Sequence, residues 1–195
     1  METEINMKFR MAYESVVNGF EGMYANDKDD PGGETYKGIA RNKNKDFEGW
    51  KIIDGLRGNK DFPEVLEREN ALQGSVMEFY KKNYWDKFKG DYIGEETGEE
   101  LFDQSVNMGV SRAVEHMQRS LNVLNDRERL YNGIKVDGIF GGETESAYIA
   151  CCHERSEKWL VNYMNAYQGK YYLELMEKRT IFEKFTGLLK RVTIK

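Results

Sequence analysis

The chain has 195 residues, with 34 acidic against 29 basic side chains and a net charge of −5. That length can bury one large core or two small ones, and the acid excess argues against the basic face that a nucleic-acid binder carries. Aromatic residues make up 13% of the chain, which speaks against disorder.

The first predicted element is an amphipathic helix from about Glu4 to Asn18, because Ile5, Phe9, Ala12, Tyr13, Val16 and Val17 recur at helical spacing. Gly19 and Gly22 bracket its end, as helix C-termini prefer. A loop follows, in which Asp30-Pro31-Gly32-Gly33 forms a turn: proline presets φ and glycine supplies positive φ. Thr35 to Ala40 alternates like a strand, and two or three short strands are expected here at most. Phe47, Trp50, Ile52, Ile53 and Leu56 trace a short helix. Pro63 stands where a helix begins, and the helical pattern runs on from Glu64 to about Phe88. Gly90 to Gly98 is acidic and glycine-rich and reads as a linker, dividing the chain into regions 1–93 and 94–195.

Beyond it, a helix through Leu101, Phe102, Ser105, Val106 and Met108 is expected to end near Gly109, and Ser111 can cap the next, to Leu124. A charged loop spans Asn125 to Gly133. Asp137-Gly138 makes a tight turn that leads into a helix near Glu143, and Ser156 to Phe185 is again helical. The fold class is therefore mainly α with a small β element near residues 33–42. Cys151 and Cys152 are the two cysteines. Chain neighbours bridge only with strain, so two free thiols are expected. His116 and His153 have no partner at metal-ligand spacing, and no metal or other cofactor is expected.

The chemistry concentrates between Phe20 and Arg41, where Glu21, Asp27, Asp29, Asp30 and Glu34 crowd a glycine-rich loop. Acid-catalysed glycosidic cleavage needs one group to protonate the leaving oxygen and another to serve the opposite face of the sugar. Glu21 sits at or just past a helix end, where the negative end of the dipole and apolar neighbours both favour the protonated acid. The Pro-Gly-Gly turn carries Asp30 back as second carboxylate, and Thr35 can hold a water. Eight residues separate Glu21 from Asp30 and four separate Asp30 from Thr35. Each has a plainer reading: Glu21 as a solvated carboxylate, Asp30 as a turn former, Thr35 as an ordinary strand residue. Asp27 and Asp29 read as solvated loop charges or turn caps, and the turn sets Glu34 aside with them. Tyr24, Tyr36, Trp50 and Trp85 are aromatic candidates for a sugar cleft, Tyr24 the best of them and Trp85 by its spacing a core residue. Asn107 either reaches substrate or caps its helix. No Ser, His and Asp set stands out for amide chemistry.

Phe20-Glu21-Gly22-Met23-Tyr24, then Asn26-Asp27, Asp30-Pro31-Gly32-Gly33 and Thr35-Tyr36-Lys37-Gly38-Ile39, resemble glycoside hydrolase family 108. Members of that family are lysozyme-like N-acetylmuramidases common in phages and prophages, and their Glu-Gly-Gly-Tyr motif supplies the catalytic acid, here Glu21. Met23 stands where the family usually has glycine. The order Glu, Asp, Thr also resembles phage lysozymes, with one residue fewer in the second gap. Phe102 to Gly109, Ala113, Gln118 to Leu121, and Val136-Asp137-Gly138-Ile139-Phe140-Gly141 with Thr144 resemble the predicted peptidoglycan domain that accompanies the family, a region that either stands as a domain of its own or completes one lysozyme-like helical unit.

The resemblance implies a lysozyme-like helical fold with a small β-hairpin near the active site. It also implies hydrolysis of the β-1,4 bond between N-acetylmuramic acid and N-acetylglucosamine in peptidoglycan glycan strands. Glu21, Asp30 and Thr35 would be the catalytic set, with Tyr24, Tyr36 and Asn107 on the substrate. Two rivals are a lytic transglycosylase using Glu21 alone and a non-catalytic glycan-binding or secretion-assisting protein. Met1 to Glu14 lacks the apolar run of a signal peptide and no stretch reaches membrane-spanning length. Synthesis in the cytoplasm and delivery to the cell wall by another route, a holin-like pore or a dedicated secretion route, are therefore expected, a context that suits a prophage endolysin and a secreted wall-remodelling enzyme alike.

Overall fold

A computed structural model of the chain describes residues 7–18, 23–26, 32–178 and 189–192. The N-terminal apolar stripe winds into a helix, α1 (Met7–Tyr13), which continues as a π-helical turn over Glu14–Asn18. Phe9, Ala12, Tyr13, Val16 and Val17 are all buried, which is the face that a period of 3.6 residues lines up. Residues 4–6 of the expected helix lie outside the described residues. Tyr13 meets Tyr80 edge-on at 5.9 Å, which seats α1 on the helix α3 (Asn70–Asn83).

Three short strands form one antiparallel sheet: β1 (Tyr24–Asn26), β2 (Glu34–Tyr36) and β3 (Ile39–Ala40), in that order. The register pairs Tyr24 with Tyr36 and Thr35 with Ala40. The stretch 35–40 is thus not one strand but two, folded back at Lys37-Gly38. Both turn residues have positive φ, 43° and 77°, the requirement of the two-residue hairpin turn whose twist matches its strands. The helix α2 (Gly49–Leu56) buries Trp50 and Ile53.

The helical pattern from Glu64 to Phe88 breaks into three pieces: a 3₁₀ turn at Glu64–Arg68, α3, and a second 3₁₀ turn at Trp85–Phe88. Glu69 is extended, at φ −84° and ψ 98°, and its carboxylate accepts the Ala71 N–H at 3.3 Å. That side chain satisfies a donor of the first turn of α3, so the helix restarts there.

Two compact units result, Met1–Asn83 and Tyr84–Lys195. In the second, α4 (Glu95–Met108), α5 (Val110–Leu124) and α7 (Glu157–Lys178) pack on one another, with α6 (Gly142–Glu154) against α5. Their core holds Leu101, Phe102, Val114, Met117, Leu121, Leu160 and Met164. The expected linker Gly90–Gly98 is ordered secondary structure instead: a 3₁₀ turn at Gly90–Tyr92, then the first turn of α4. Glu95 and Glu96 suit the positive end of that helix, and Thr97 and Gly98 are buried. The glycines serve packing here, since a Cβ on Gly90 would lie 2.3 Å from the Trp85 ring.

Gly109, at φ 90°, ends α4 and precedes α5, so Ser111 falls inside α5 rather than capping it. The Asp137-Gly138 turn forms as expected. The Gln118 carboxamide accepts from the Asp137 and Gly138 N–H groups, both at 2.9 Å, and donates to the Thr144 hydroxyl at 3.0 Å. Residues of two separate motifs thereby become one hydrogen-bonded junction. Both cysteines are free thiols, Cys151 buried.

Candidate active site

Glu21 and Asp30, the two carboxylates to which the sequence assigns the chemistry, lie outside the described residues, as do Asp27 and Asp29. What is described is the frame that surrounds them in sequence: the helical turn ending at Asn18, the sheet, and the segments packed on it.

On one side of the sheet, Glu34 gathers three partners. The Tyr24 hydroxyl donates to its Oε1 at 2.9 Å and Arg57 Nη2 does so at 2.5 Å. Arg41 Nε lies 2.7 Å from Oε2, an ion-pair contact that misses hydrogen-bond alignment. The outer face of both guanidinium groups meets Asp54, 2.8 Å from Arg41 and 3.0 Å from Arg57. The Arg41 hydrogen bond, ahead of that from Arg57, holds the Asp54 carboxyl below its ordinary range. Arg41 also lies over the Trp50 ring, 4.5 Å from its centroid. Trp50 is thereby buried beneath a cation.

Tyr24 is half-buried, its ring edge-on to Phe62 at 5.0 Å. Burial, then the Glu34 carboxylate, raises its phenol pKa. Thr35 lies half-buried between Glu34 and Tyr36 on β2, and its hydroxyl makes a long 3.3 Å bond to the Gly33 carbonyl. Tyr36 turns into the core, only 1% exposed. Its phenol donates to Glu67 Oε1 at 3.0 Å and accepts from Gln73 Nε2 at 2.8 Å, so both ring and hydroxyl are occupied by protein. Lys37 joins this cluster, with its ammonium 2.9 Å from Gln73 Oε1.

Tyr24, Thr35 and Tyr36 therefore share one sheet. Asn107 belongs to the other unit, in the last turn of α4, where its amide donates to the Asp103 carbonyl at 2.7 Å. Trp85 is fully buried. Among the described residues no group of three His, Cys, Asp or Glu side chains could hold a metal ion. His116 is buried with Nδ1 2.8 Å from Gln104 Oε1. Burial, with Arg112 and Arg119 adding to it, lowers its pKa to about 4.

Sequence reasoning missed Glu34, which it set aside with Asp27 and Asp29. The available signal was the strand period: Glu34 falls on the same pleat face as Tyr36, and that face is buried.

Residues 15–109 match the family Glycosyl hydrolase 108, and residues 112–193 match the Predicted Peptidoglycan domain. No curated protein matches the chain. A solved structure described as "Structure of Brucella abortus SagA" is similar, with TM-score 0.59 and 22% identity over 94% of this chain and 90% of that one. At that identity the likeness concerns the fold, which is mainly α and lysozyme-like with a small antiparallel sheet. The chain thus carries a glycosyl hydrolase 108 segment over residues 15–109 with the predicted peptidoglycan domain behind it, and is a glycoside hydrolase of peptidoglycan.

Proposed function

We propose that this protein is an N-acetylmuramidase that hydrolyses the β-1,4 bond between N-acetylmuramic acid and N-acetylglucosamine. Glu21 is its general acid. The observation that carries this reading is the match of residues 15–109 to the family, with the Phe20-Glu21-Gly22-Met23-Tyr24 motif inside it. In this reading Glu21 protonates the leaving glycosidic oxygen as positive charge develops on the sugar ring. Asp30 faces that charge or takes a proton from the attacking water. Thr35 orients the water, a role supported by a half-buried hydroxyl with only one long bond of its own. The half-buried Tyr24 ring is a sugar contact. Tyr36 has no place in this reading, because its ring is buried in the core and its hydroxyl is engaged there, whereas half-buried Asn107, whose amide nitrogen is bonded within its own helix, keeps its carbonyl oxygen for substrate.

The test is clearing of purified peptidoglycan by wild type and Glu21→Gln. Loss of a general acid lowers the rate by about 10²- to 10⁴-fold. Equal clearing by a folded variant would remove Glu21 from the chemistry. Mass spectrometry of the products settles the reaction type, since hydrolysis leaves reducing muramic acid ends and a transglycosylase leaves anhydro ends one water lighter.

A further inference from the structure

Lys37 stands outside the proposed chemistry, yet among the described residues it is bonded to five others of the first unit. It occupies the first position of the β2–β3 turn at φ 43°, a region that residues with a Cβ occupy at a cost and only when the surroundings hold them there. It is also a nearly buried cation, 6% exposed, which requires partners for its ammonium. Nζ donates to Asn18 Oδ1 at 3.1 Å and to Gln73 Oε1 at 2.9 Å, and lies 3.7 Å from Glu67 Oε2. The Lys37 N–H donates to the Met23 carbonyl at 2.7 Å. Its own carbonyl accepts the Tyr80 hydroxyl at 2.7 Å.

The choice of partners matters more than their number. Asn18 is the last residue of the π-helical turn, and Met23 immediately precedes β1. One residue is therefore bonded to both flanks of the stretch 19–22, which carries Glu21. Gln73, Glu67 and Tyr80 tie that same residue to α3 and the segment before it. Stability alone does not call for the Asn18 bond, because Asn18 is exposed and water can satisfy its amide. The bond adds a fixed distance between the helix end and the sheet. We infer that Lys37 is a positioning residue for the general acid, clamping the two ends of the acid-bearing stretch to α3 and the 3₁₀ turn before it. This rests on the reading of Glu21 as that acid.

Rates on purified peptidoglycan, measured over a range of substrate concentrations, test it with Lys37→Met, Lys37→Arg, Asn18→Ala and the double variant Lys37→Met with Asn18→Ala. Because a displacement of about 1 Å can cost about 10²-fold in rate, Lys37→Met should lower apparent kcat about 10- to 100-fold with apparent KM nearly unchanged. Asn18→Ala, at an exposed position that leaves the fold intact, should lower kcat about 3- to 10-fold on the same reasoning. The double variant should fall no further than Lys37→Met alone, since both break one link. Lys37→Arg, which keeps a cation with donors, should recover most of the loss. If Lys37→Met does not fold, Asn18→Ala decides. Wild-type kcat in Asn18→Ala, or a change confined to KM, overturns the clamp while an inactive Glu21→Gln leaves the acid assignment standing. A fully active Glu21→Gln overturns the acid assignment itself.

Discussion

Glu34 carries its charge against two guanidinium groups of unequal exposure. The Arg57 side chain is 40% exposed and that of Arg41 29%, so water screens part of each pair. Removing a partner from a fully buried ion pair costs about 3–5 kcal/mol and an exposed pair contributes about 0–1 kcal/mol. Glu34→Gln should therefore lie between, at about 2 kcal/mol of lost stability, read as a shift of the urea unfolding midpoint. Asp54→Asn, at the exposed rim of the same network, should shift the midpoint much less. Equal shifts would mean that Glu34 is no more the hub than Asp54. Glu34 and Lys37 sit near each other in sequence but serve different networks, one of the arginines that follow β3 and α2, the other of the Asn18 and Gln73 amides and the Glu67 carboxylate.

At the scale of helices, α4, α5 and α7 enclose polar groups as well as an apolar core. Glu100 accepts from Gln104 at 2.7 Å and from Asn165 at 2.7 Å. Asp103 accepts from Gln168 at 3.0 Å and from Arg191 at 2.7 Å. Burial raises the Glu100 carboxyl from its ordinary 4.5 to about 7, against the pull of those two amide donors. The folded helices thus hold a proton that the unfolded chain has released, so the Glu100 contribution to stability is full below pH 4.5 and is lost as pH rises to about 7.

His116 acts in the opposite sense. Its pKa is lowered by burial from 6.5 to about 4, so its contribution is full above pH 6.5 and is lost as pH falls to about 4. The two slopes oppose each other between pH 4.5 and 6.5. Asp103, also raised chiefly by burial, adds to the Glu100 side. Glu100→Gln should therefore make the urea midpoint rise more steeply with pH across that interval than it does in wild type. Parallel pH profiles for the two proteins would show that Glu100 titrates normally.

At the scale of the whole molecule, the family segment ends at residue 109, between α4 and α5. The compact units instead meet between Asn83 and Tyr84. The helix α4 thus belongs to the hydrolase family by sequence, and by packing to the core it shares with α5 and α7. The net charge of −5 gives the molecule no general attraction to an anionic polymer, which favours retention on the wall by shaped contacts. Glu21→Gln should consequently co-sediment with purified peptidoglycan without cleaving it, and should stay bound when ionic strength is raised to about 0.5 M, where the Debye length is only a few ångströms. Release by salt would point to charge-driven association instead.

Several features were decided by the sequence alone. The buried face of α1, the end of α4 at Gly109, the Asp137-Gly138 turn and the family motif around Glu21 follow from spacing and from what glycine and proline allow. These are local rules, complete within a few residues. The tertiary structure decided the rest. It turned Tyr36 inward, paired Glu34 with the arginines that follow β3 and α2, and buried the Lys37 ammonium between α1's extension and α3. It also made Gly90 and Gly98 of an apparent linker into the space beneath Trp85. Partnership of this kind depends on which distant segments come within a few ångströms and exclude water, and neither hydrophobic period nor residue type records that. Hence Glu21 was legible as a candidate from its motif, while Lys37, the residue bonded to both flanks of its stretch, was not.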